Sequence, residues 1–496
     1  MNQTRSKEKQ AQQRSGSVLP GGIITGVLAV LMLALDVSIV RSGMLPAKFL
    51  APLVILLLVV VALLGFLTHR TEKRGRFIAG AVISVLAAAV MVYGLVALNK
   101  ITSTLNNITT VSAEVSYVGA YVLTDDEAET LNDLEAETFG ILAELDRTST
   151  DGAVEQLNGS LDTEITTAEY DGLTDLVDAL YSQECRVILL NSAYLDVIAE
   201  IEGYEDIEDQ IREVTSLSVE DEAVVYEEVE LSDTVFTMYI SGVDSRNGLV
   251  ARSRSDVNIL ATVNTETHQI LLVSTPRDYY VPLSISNGVK DKLTHAGIYG
   301  VSVCVDTMEM LYDIDIDYYL RMSFDGFEDL VDALGGVTVY SDYAFTSYHY
   351  SYEYVEGYNE MDGAHALEFA RERFAFPTGD RQRGKNLMVL IQAIIDKAIA
   401  PDILVKYSSI LTSVEDNFET TLPYDLIAGL VNNQLSTGAD WDIITYSVNG
   451  SDGNSSTYSM SKPNYVMIPD EETVATAKEL MQAVLNGEVI SQPEEE

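Results

Sequence analysis

The chain has 496 residues, with 76 acidic and 30 basic side chains and two cysteines, Cys185 and Cys304. A formal net charge of −46 excludes a nucleic-acid binder, which needs a basic face. Two cysteines are too few for a disulfide framework or a Cys-rich zinc site, and 47% hydrophobic residues exclude a disordered acidic chain.

The charge divides the chain. Residues 1–100 hold 11 basic and three acidic side chains, a net of +8, whereas residues 101–496 carry a net of −54. Three apolar runs, about 22–40, 49–67 and 77–98, are each long enough to cross a hydrocarbon core of about 30 Å as a helix. Two following spans argue against reading the first as a cleaved signal peptide. Arg5, Lys7, Lys9 and Arg14 in the tail, and Arg70, Lys73, Arg74 and Arg76 after the second run, outnumber Arg41 and Lys48 after the first. The positive-inside rule then puts the tail in the cytoplasm and residues 101–496 outside the cell. Asp36 falls inside the first span: an intramembrane carboxylate is a functional-site candidate, but near the outer end it can instead snorkel to water at the interface.

Residues 101–112 read as a polar connector. From there to about 225 strands and helices alternate: a strand at Val115–Leu123, a helix at Asp126–Leu134, helical spacing over Thr167–Ser182, a buried strand at Val187–Leu190 and a helix at Tyr194–Ile201. This predicts a small α/β accessory domain over 101–225. Its function is not legible. The acidic stretch Val219–Ser232 reads as a linker or edge strand.

A second domain, 235–488, starts with strands at 235–241, 257–264 and 269–275, and has another at 336–340. Helices are expected at about 298–312, 324–334, 362–372, 383–399 and 472–486, before an acidic, disordered tail at 489–496. The expected fold class is α/β, a mixed sheet with flanking helices, beside the accessory domain and three transmembrane helices.

Nine of the twelve arginines after residue 100 fall between Arg246 and Arg383. Guanidinium groups suit bidentate contact with phosphate oxygens. Arg371 and Arg373, and Arg381 and Arg383, flank the loop Phe374–Gly379 and can converge across it. Asp244 and Asp256 stand at the edges of neighbouring strands, with Arg254 and Arg277 beside them. Two carboxylates placed so can share a hard cation such as Mg²⁺ that is also bound by substrate phosphate. Carboxylates, a cation and clustered arginines describe a phosphoryl-transfer site.

The motifs in order resemble the LytR–CpsA–Psr family of bacterial cell-wall enzymes: GVDSR (242–246), RSDVNILATVN (254–264), VSTPRDYYV (273–281), KLTHAGIYG (292–300), IDYYLRMSFDGFEDLVDALGGV (316–337), MDGAHALEFARER (361–373) and GDRQRGKN (379–386). The motif core is 235–400. The resemblance implies a membrane-anchored phosphotransferase of a Gram-positive-type envelope. Such an enzyme moves a polyprenyl-diphosphate-linked glycopolymer (teichoic acid, capsule or similar) onto a peptidoglycan hydroxyl. It also implies that Asp244 and Asp256 hold Mg²⁺ or Mn²⁺, that Arg254, Arg277, Arg371, Arg373 and Arg383 grip the diphosphate, and that Asp278 serves as base for the acceptor hydroxyl. An apolar channel would take the lipid tail. One position departs from the family pattern: Leu387 stands where a Gln is frequent, one turn beyond Arg383.

His69, His268, His295, His349 and His365 lack metal-ligand spacing, and His295 and His365 are read as structural. Ser245 and Ser255 lie near the site, but no triad pattern accompanies them. Period-2 tyrosines at 348, 350, 352 and 354 suggest a hairpin strand that stacks on sugars, meets the bilayer interface, or packs as an edge. Two other functions stay open: a non-catalytic polyprenyl-diphosphate-binding scaffold or sensor, and a lipid diphosphatase in which water replaces the sugar hydroxyl. The intact Asp244, Asp256 and arginine set favours the enzyme.

Overall fold

The computed structural model describes residues 2–69, 74–109, 115–220, 235–243, 249, 252–376, 379–400 and 407–493. These form two compact units. The first comprises residues up to Thr109 together with Ile399–Glu415 and Leu422–Asp440. Its three long helices, Asn2–Ser42, Ala47–Thr68 and Arg74–Ile108, contain segments of 23, 22 and 34 residues that are long and apolar enough to cross a membrane. Leu28, Leu35, Val61, Leu64 and Met91 form the seam between them, and the opposite faces are exposed and apolar, as a lipid-facing bundle requires.

The third helix runs on through the stretch expected to be a connector. Leu105 and Ile108 are buried, while Asn107 Nδ2 and Thr104 Oγ1 donate to the Glu415 carboxylate at 2.6 and 3.1 Å. The helices Tyr407–Val414 and Tyr424–Thr437 belong to this unit. Tyr424 Oη donates to Ser42 O at 3.1 Å and Asn432 Nδ2 to Gly43 O at 2.9 Å, so the second of them caps the turn after the first long helix, while the first packs on the third long helix.

The second unit holds two sheets. In the first, β1 (Val115–Leu123), β2 (Thr138–Leu142), β3 (Thr166–Tyr170), β4 (Val187–Asn191) and β5 (Ile211–Glu220) lie in the order β3-β2-β4-β1-β5. Strands β3, β2 and β4 are parallel, and β1 is antiparallel to both neighbours. Strand β5 reaches Glu220, and the rest of the acidic linker lies outside the described residues.

Two expected helices are corrected here. Within Asp126–Leu134 only Leu131–Leu134 is helical, a single 3-10 turn closed by a Thr130–Asp133 capping box. Arg186 binds the Asp126 carboxylate with two nitrogens, at 2.8 and 3.0 Å, and this holds the chain before that turn in a loop. Within Thr167–Ser182 the first residues join β3, and the helix begins only after Gly172, at Leu173.

The second sheet contains β6 (Val235–Val243), β7 (Ser255–Asn264) and β8 (Gln269–Thr275). A short hairpin follows, β9 (Tyr280–Pro282) and β10 (Lys290–Lys292), and then β11 (Tyr318–Ser323) returns to the sheet. Next come β12 (Val337–Ser341), β13 (Phe345–Thr346), β14 (Glu353–Tyr354) and β15 (Gly357–Met361), then β16 (Phe418–Thr420), β17 (Asp442–Ser447), β18 (Gly450–Ser455) and β19 (Asn464–Pro469). The six-stranded order is β16-β11-β6-β7-β8-β17, with β11 parallel to β6 and β17 parallel to β8. Strands β11, β16 and β17 were absent from the sequence reading. The tyrosine-rich run is not one alternating strand: it breaks at residues 348–350 between β13 and β14. The tail after Leu485 is tied to the sheet edge, where Gln492 exchanges hydrogen bonds with the Thr445 backbone at 3.1 and 2.8 Å. Both cysteines are buried, and they form no disulfide with each other.

The topology gathers the site. The ends of β6, β8 and β11 and the start of β7 meet at one end of the sheet. A 3-10 segment, Leu293–Tyr299, packs under the start of β7. A Cβ on Gly297 would stand 2.3 Å from Ser253 O and 2.8 Å from Ser255 N, so only glycine permits this approach. Gly297→Ala should force the two segments apart and lower unfolding stability by about 1–3 kcal/mol. Chemical denaturation of the full chain in detergent micelles reads this. An unchanged midpoint would show that the contact is not tight.

Candidate active site

A buried hydrogen-bond cluster sets the backbone from which the site grows. Tyr239 Oη donates to Asn258 Oδ1 at 2.7 Å and lies 2.9 Å from Ser255 Oγ, which in turn lies 2.9 Å from Ser241 Oγ. Every member is at most 2% exposed. This fixes Ser255 as a structural residue inside the β6–β7 pair, whose register shifts between Gly242 and Val243. Arg254 and Asp256 flank Ser255 and reach the sheet end.

There they meet Arg277, two residues beyond β8. Arg277 Nη1 donates to Asp256 Oδ1 at 2.9 Å, Nη2 lies 3.5 Å from Glu200 Oε1, and Nε lies 3.6 Å from Asp278 Oδ2. Arg254 Nη1 pairs with Glu200 Oε1. Lys292 Nζ stands 3.1 Å from Glu200 Oε2 and 3.4 Å from Asp278 Oδ1. Thr294 Oγ1 donates to Asp256 Oδ1 at 3.3 Å, and its backbone N–H donates to Arg277 O.

Burial opposes charge on Asp256, but Arg277, Arg254 and Arg383 outweigh it and hold its carboxyl at about 2. Glu200 likewise resists burial, and Lys292, Arg277 and Arg254 hold it at about 2. Burial alone would weaken the Arg277 cation, yet Asp256, Asp278 and Glu200 raise its pKa.

Above this cluster lies a cavity of about 460 Å³. Its polar lining includes Arg254, Asp256, Arg277, Arg371, Arg373, Arg383, Asp196 and Glu200. Its apolar wall includes Ile240, Val257, Met322, Phe324, Phe327, Leu367, Leu387 and Ile391. Arg371 ends the helix Gly363–Arg371, its guanidinium 4.6 Å from the Phe324 ring centre, and Arg373 lies 4.7 Å from that of Phe374. Arg383, Leu387 and Ile391 stand at i, i+4 and i+8 of the helix Asp380–Ala398, and so line the cavity from one face.

Six of the expected metal- and phosphate-binding residues therefore share one cavity: Arg254, Asp256, Arg277, Arg371, Arg373 and Arg383. Asp278 is buried and does not line it; its carboxylate lies behind Arg277 and Lys292. Asp244 lies outside the described residues. Arg381 points elsewhere and binds Gly450 O. His295 is buried between Asp291 and Ser459, with Nδ1 at 2.7 and 2.8 Å from them. His365 is bonded to Asp362 and stacked on Tyr352. The sequence reading missed Glu200 and Lys292. Lys292 opens the motif segment 292–300, which was a usable signal; Glu200 had none.

A family model, described as the LytR_cpsA_psr family, matches residues 201–474. The chain belongs to this family. It is 35% identical over 192 residues to "Polyisoprenyl-teichoic acid--peptidoglycan teichoic acid transferase TagU" of Enterococcus faecalis (strain ATCC 700802 / V583), covering 38% of this chain and 62% of the relative. The protein of the same name from Bacillus subtilis (strain 168) is 36% identical over 191 residues, covering 38% and 61%. The chain thus spans somewhat less than two thirds of the length of these relatives. A solved structure, "Crystal structure of B. subtilis TagV", matches 52% of this chain and 99% of its own at 26% identity, with a TM-score of 0.44.

The ion cluster makes stability depend on pH. Asp256 and Glu200 have folded values of about 2 against ordinary values of 3.8 and 4.5. Their contribution is complete above the ordinary values and is lost as pH falls toward 2. Across that window each should withdraw on the order of 2–3 kcal/mol. Arg277→Ala should destabilise the chain by about 3–5 kcal/mol at neutral pH and flatten the acid limb. Thermal unfolding from pH 6 to pH 2 measures both; parallel profiles for the two proteins would contradict the assignment.

Proposed function

We propose that the chain is a membrane-anchored phosphotransferase that moves a polyprenyl-diphosphate-linked anionic glycopolymer onto peptidoglycan. One observation carries this reading: a single cavity joins five arginines and Asp256 to a continuous apolar wall. A lipid diphosphate has those two halves. The arginines match its phosphate oxygens, and the wall matches the first part of its hydrocarbon tail. The printed names of the two relatives, polyisoprenyl-teichoic acid–peptidoglycan teichoic acid transferase, support the same donor and acceptor classes.

In this reading the acceptor hydroxyl attacks the phosphorus that bears the glycan. The bond from that phosphorus to the bridging oxygen breaks, polyprenyl phosphate leaves, and a glycan phosphodiester to peptidoglycan remains. The hydroxyl proton passes to the leaving phosphate or to solvent. Arg254, Arg277, Arg371, Arg373 and Arg383 would hold the diphosphate and oppose the charge that gathers on the leaving group. The position of Asp278 behind Arg277 and Lys292 favours a role in holding those cations over the role of base, because a base must reach the proton it takes.

A divalent cation, Mg²⁺ or Mn²⁺, fits this donor set. Among the described residues no hydrogen bond ends on Asp256 Oδ2, since both bonds to this carboxylate fall on Oδ1. A hard cation needs only one or two protein carboxylates when phosphate completes its shell. Asp256 and Asp244 would hold it, and it would supply charge neutralisation at the diphosphate. The three apolar helices would anchor the chain, and the lysine and arginine distribution favours a cytoplasmic tail with the second unit outside, facing the wall.

The test uses the full chain in detergent micelles with a polyprenyl-diphosphate oligosaccharide and peptidoglycan oligomers, with and without Mg²⁺. The expected result is a glycan–peptidoglycan phosphodiester that depends on Mg²⁺. Asp256→Ala and Arg277→Ala should each lower its rate by at least about 10²-fold. Phosphorylated glycan released without coupling would indicate a diphosphatase. Tight donor binding without turnover, unchanged by Asp256→Ala, would indicate a scaffold.

A further inference from the structure

The accessory half of the second unit sends two carboxylates into the cavity, Asp196 and Glu200, and Glu200 is the one held by several cations. Glu200 follows the short helix Leu195–Ala199 and lies outside the matched family segment 201–474. It lines the cavity beside Asp196 and Ala199, and its side chain keeps 24% of its exposure. It therefore stands on the substrate side of the arginines, whereas Asp278, at 7%, stands behind them.

Its contacts have the form of a bound phosphate. One oxygen, Oε1, is shared between Arg254 Nη1 and Arg277 Nη2, and the other, Oε2, rests 3.1 Å from Lys292 Nζ. A non-bridging phosphate oxygen between two guanidinium groups makes the same pair of contacts. The remaining groups near these cations are already placed. Asp256 occupies Arg277 Nη1, Asp278 faces Arg277 Nε and Lys292, and Asp196 is 3.8 Å from Arg254 Nη2. An incoming diphosphate that uses the cavity side of Arg254 and Arg277 must take the place of Glu200 Oε1. When displaced, Glu200 keeps a partner, because Lys292 holds its second oxygen.

Two simpler roles fit less well. As a general base Glu200 would be weak, since the three cations hold its carboxyl at about 2. As a rigid brace for the arginines it would sit on their buried side, where Asp278 is.

We propose that Glu200 is the resident counter-ion of the donor site: its carboxylate holds the seat of one donor phosphate oxygen between Arg254 and Arg277, and yields it when the diphosphate binds. This rests on the reading of those arginines as the diphosphate grip, and it gives the accessory half a task. By competing for the guanidinium groups Glu200 lowers donor affinity. By returning to them it displaces the phosphate product and resets the site. Binding energy withheld from the ground state in this way favours turnover.

The experiment titrates inorganic pyrophosphate into the full chain in detergent micelles with EDTA present, by calorimetry. Glu200→Gln should bind about tenfold tighter than wild type, because a neutral amide of the same shape no longer competes for the cations. Glu200→Asp, one methylene shorter, cannot span both arginines and should bind with intermediate affinity; it carries the test if Glu200→Gln does not fold. In turnover, Glu200→Gln should lower both KM for the donor and kcat, whereas loss of a brace would raise KM. Equal or weaker pyrophosphate binding by Glu200→Gln overturns the proposal. Arg277→Ala separates the two levels. If it binds pyrophosphate as wild type does, the diphosphate reading of the arginines fails; if it loses binding while Glu200→Gln binds no tighter, only the role of Glu200 fails.

Discussion

A nearly buried guanidinium needs anions from several directions, and Arg277 imposes that demand on the second unit. It leaves the end of β8 with a side chain only 11% exposed. Breaking such a group away from its partners leaves a buried, uncompensated charge. Asp256 must come from β7, Asp278 from the adjacent residue and Glu200 from across the accessory half. Lys292, the last residue of β10, then bridges Glu200 and Asp278. Three separate stretches of chain meet at this one cation, Lys292 joins a fourth through the same carboxylates, and the cavity is the space above them.

Packing agrees with that constraint. One continuous apolar core runs from Leu176, Val177, Tyr194 and Ile198 of the accessory half to Tyr239, Leu271, Ile298 and Met308 beneath the second sheet. Tyr194 meets Tyr299 edge-on, with ring centres 6.3 Å apart. Arg252 reaches across to Asp146 at 3.5 Å and Ser149 at 3.2 Å. Composition suggests a separate domain joined by an acidic linker; in the structure the two sheets share one apolar core.

How much of this the sequence revealed follows from physical range. Strands β6, β7 and β8 were legible because each is a run of consecutive apolar and β-branched residues buried on both faces. Strand β11 was not, because Arg321 interrupts its apolar run and its burial alternates; β16 has only three residues, and β17 begins with Asp442 and ends with Ser447. The helix expected at Asp126–Leu134 failed because a distant partner, Arg186, holds Asp126 in a loop, and local periodicity carries no information about such a contact. The arginines were found because their residue type is rare here and their motifs are ordered. Glu200 is one of 76 acidic residues, and only the fold brings it within reach of residues 54 and 77 positions further along the chain.

The same reasoning resolves an apparent conflict in charge. Residues 101–496 carry a net charge of −54, yet the proposed donor is a polyanion. At physiological ionic strength, charges on the solvated surface are screened beyond about 8 Å, so a donor phosphate in the cavity responds mainly to the groups that line it. Among the described residues those are Arg254, Arg277, Arg371, Arg373 and Arg383 against Asp256, Glu200 and Asp196. The carboxylates bring the resting site close enough to neutrality to be buried, and the surplus of guanidinium groups leaves it attractive to phosphate. A site with only arginines would be harder to fold and slower to release product. A site with full compensation would not bind. The balance turns on a carboxylate that can change partners, and among the acidic groups at the cavity Glu200 has that geometry: one oxygen on the arginines and the other on Lys292.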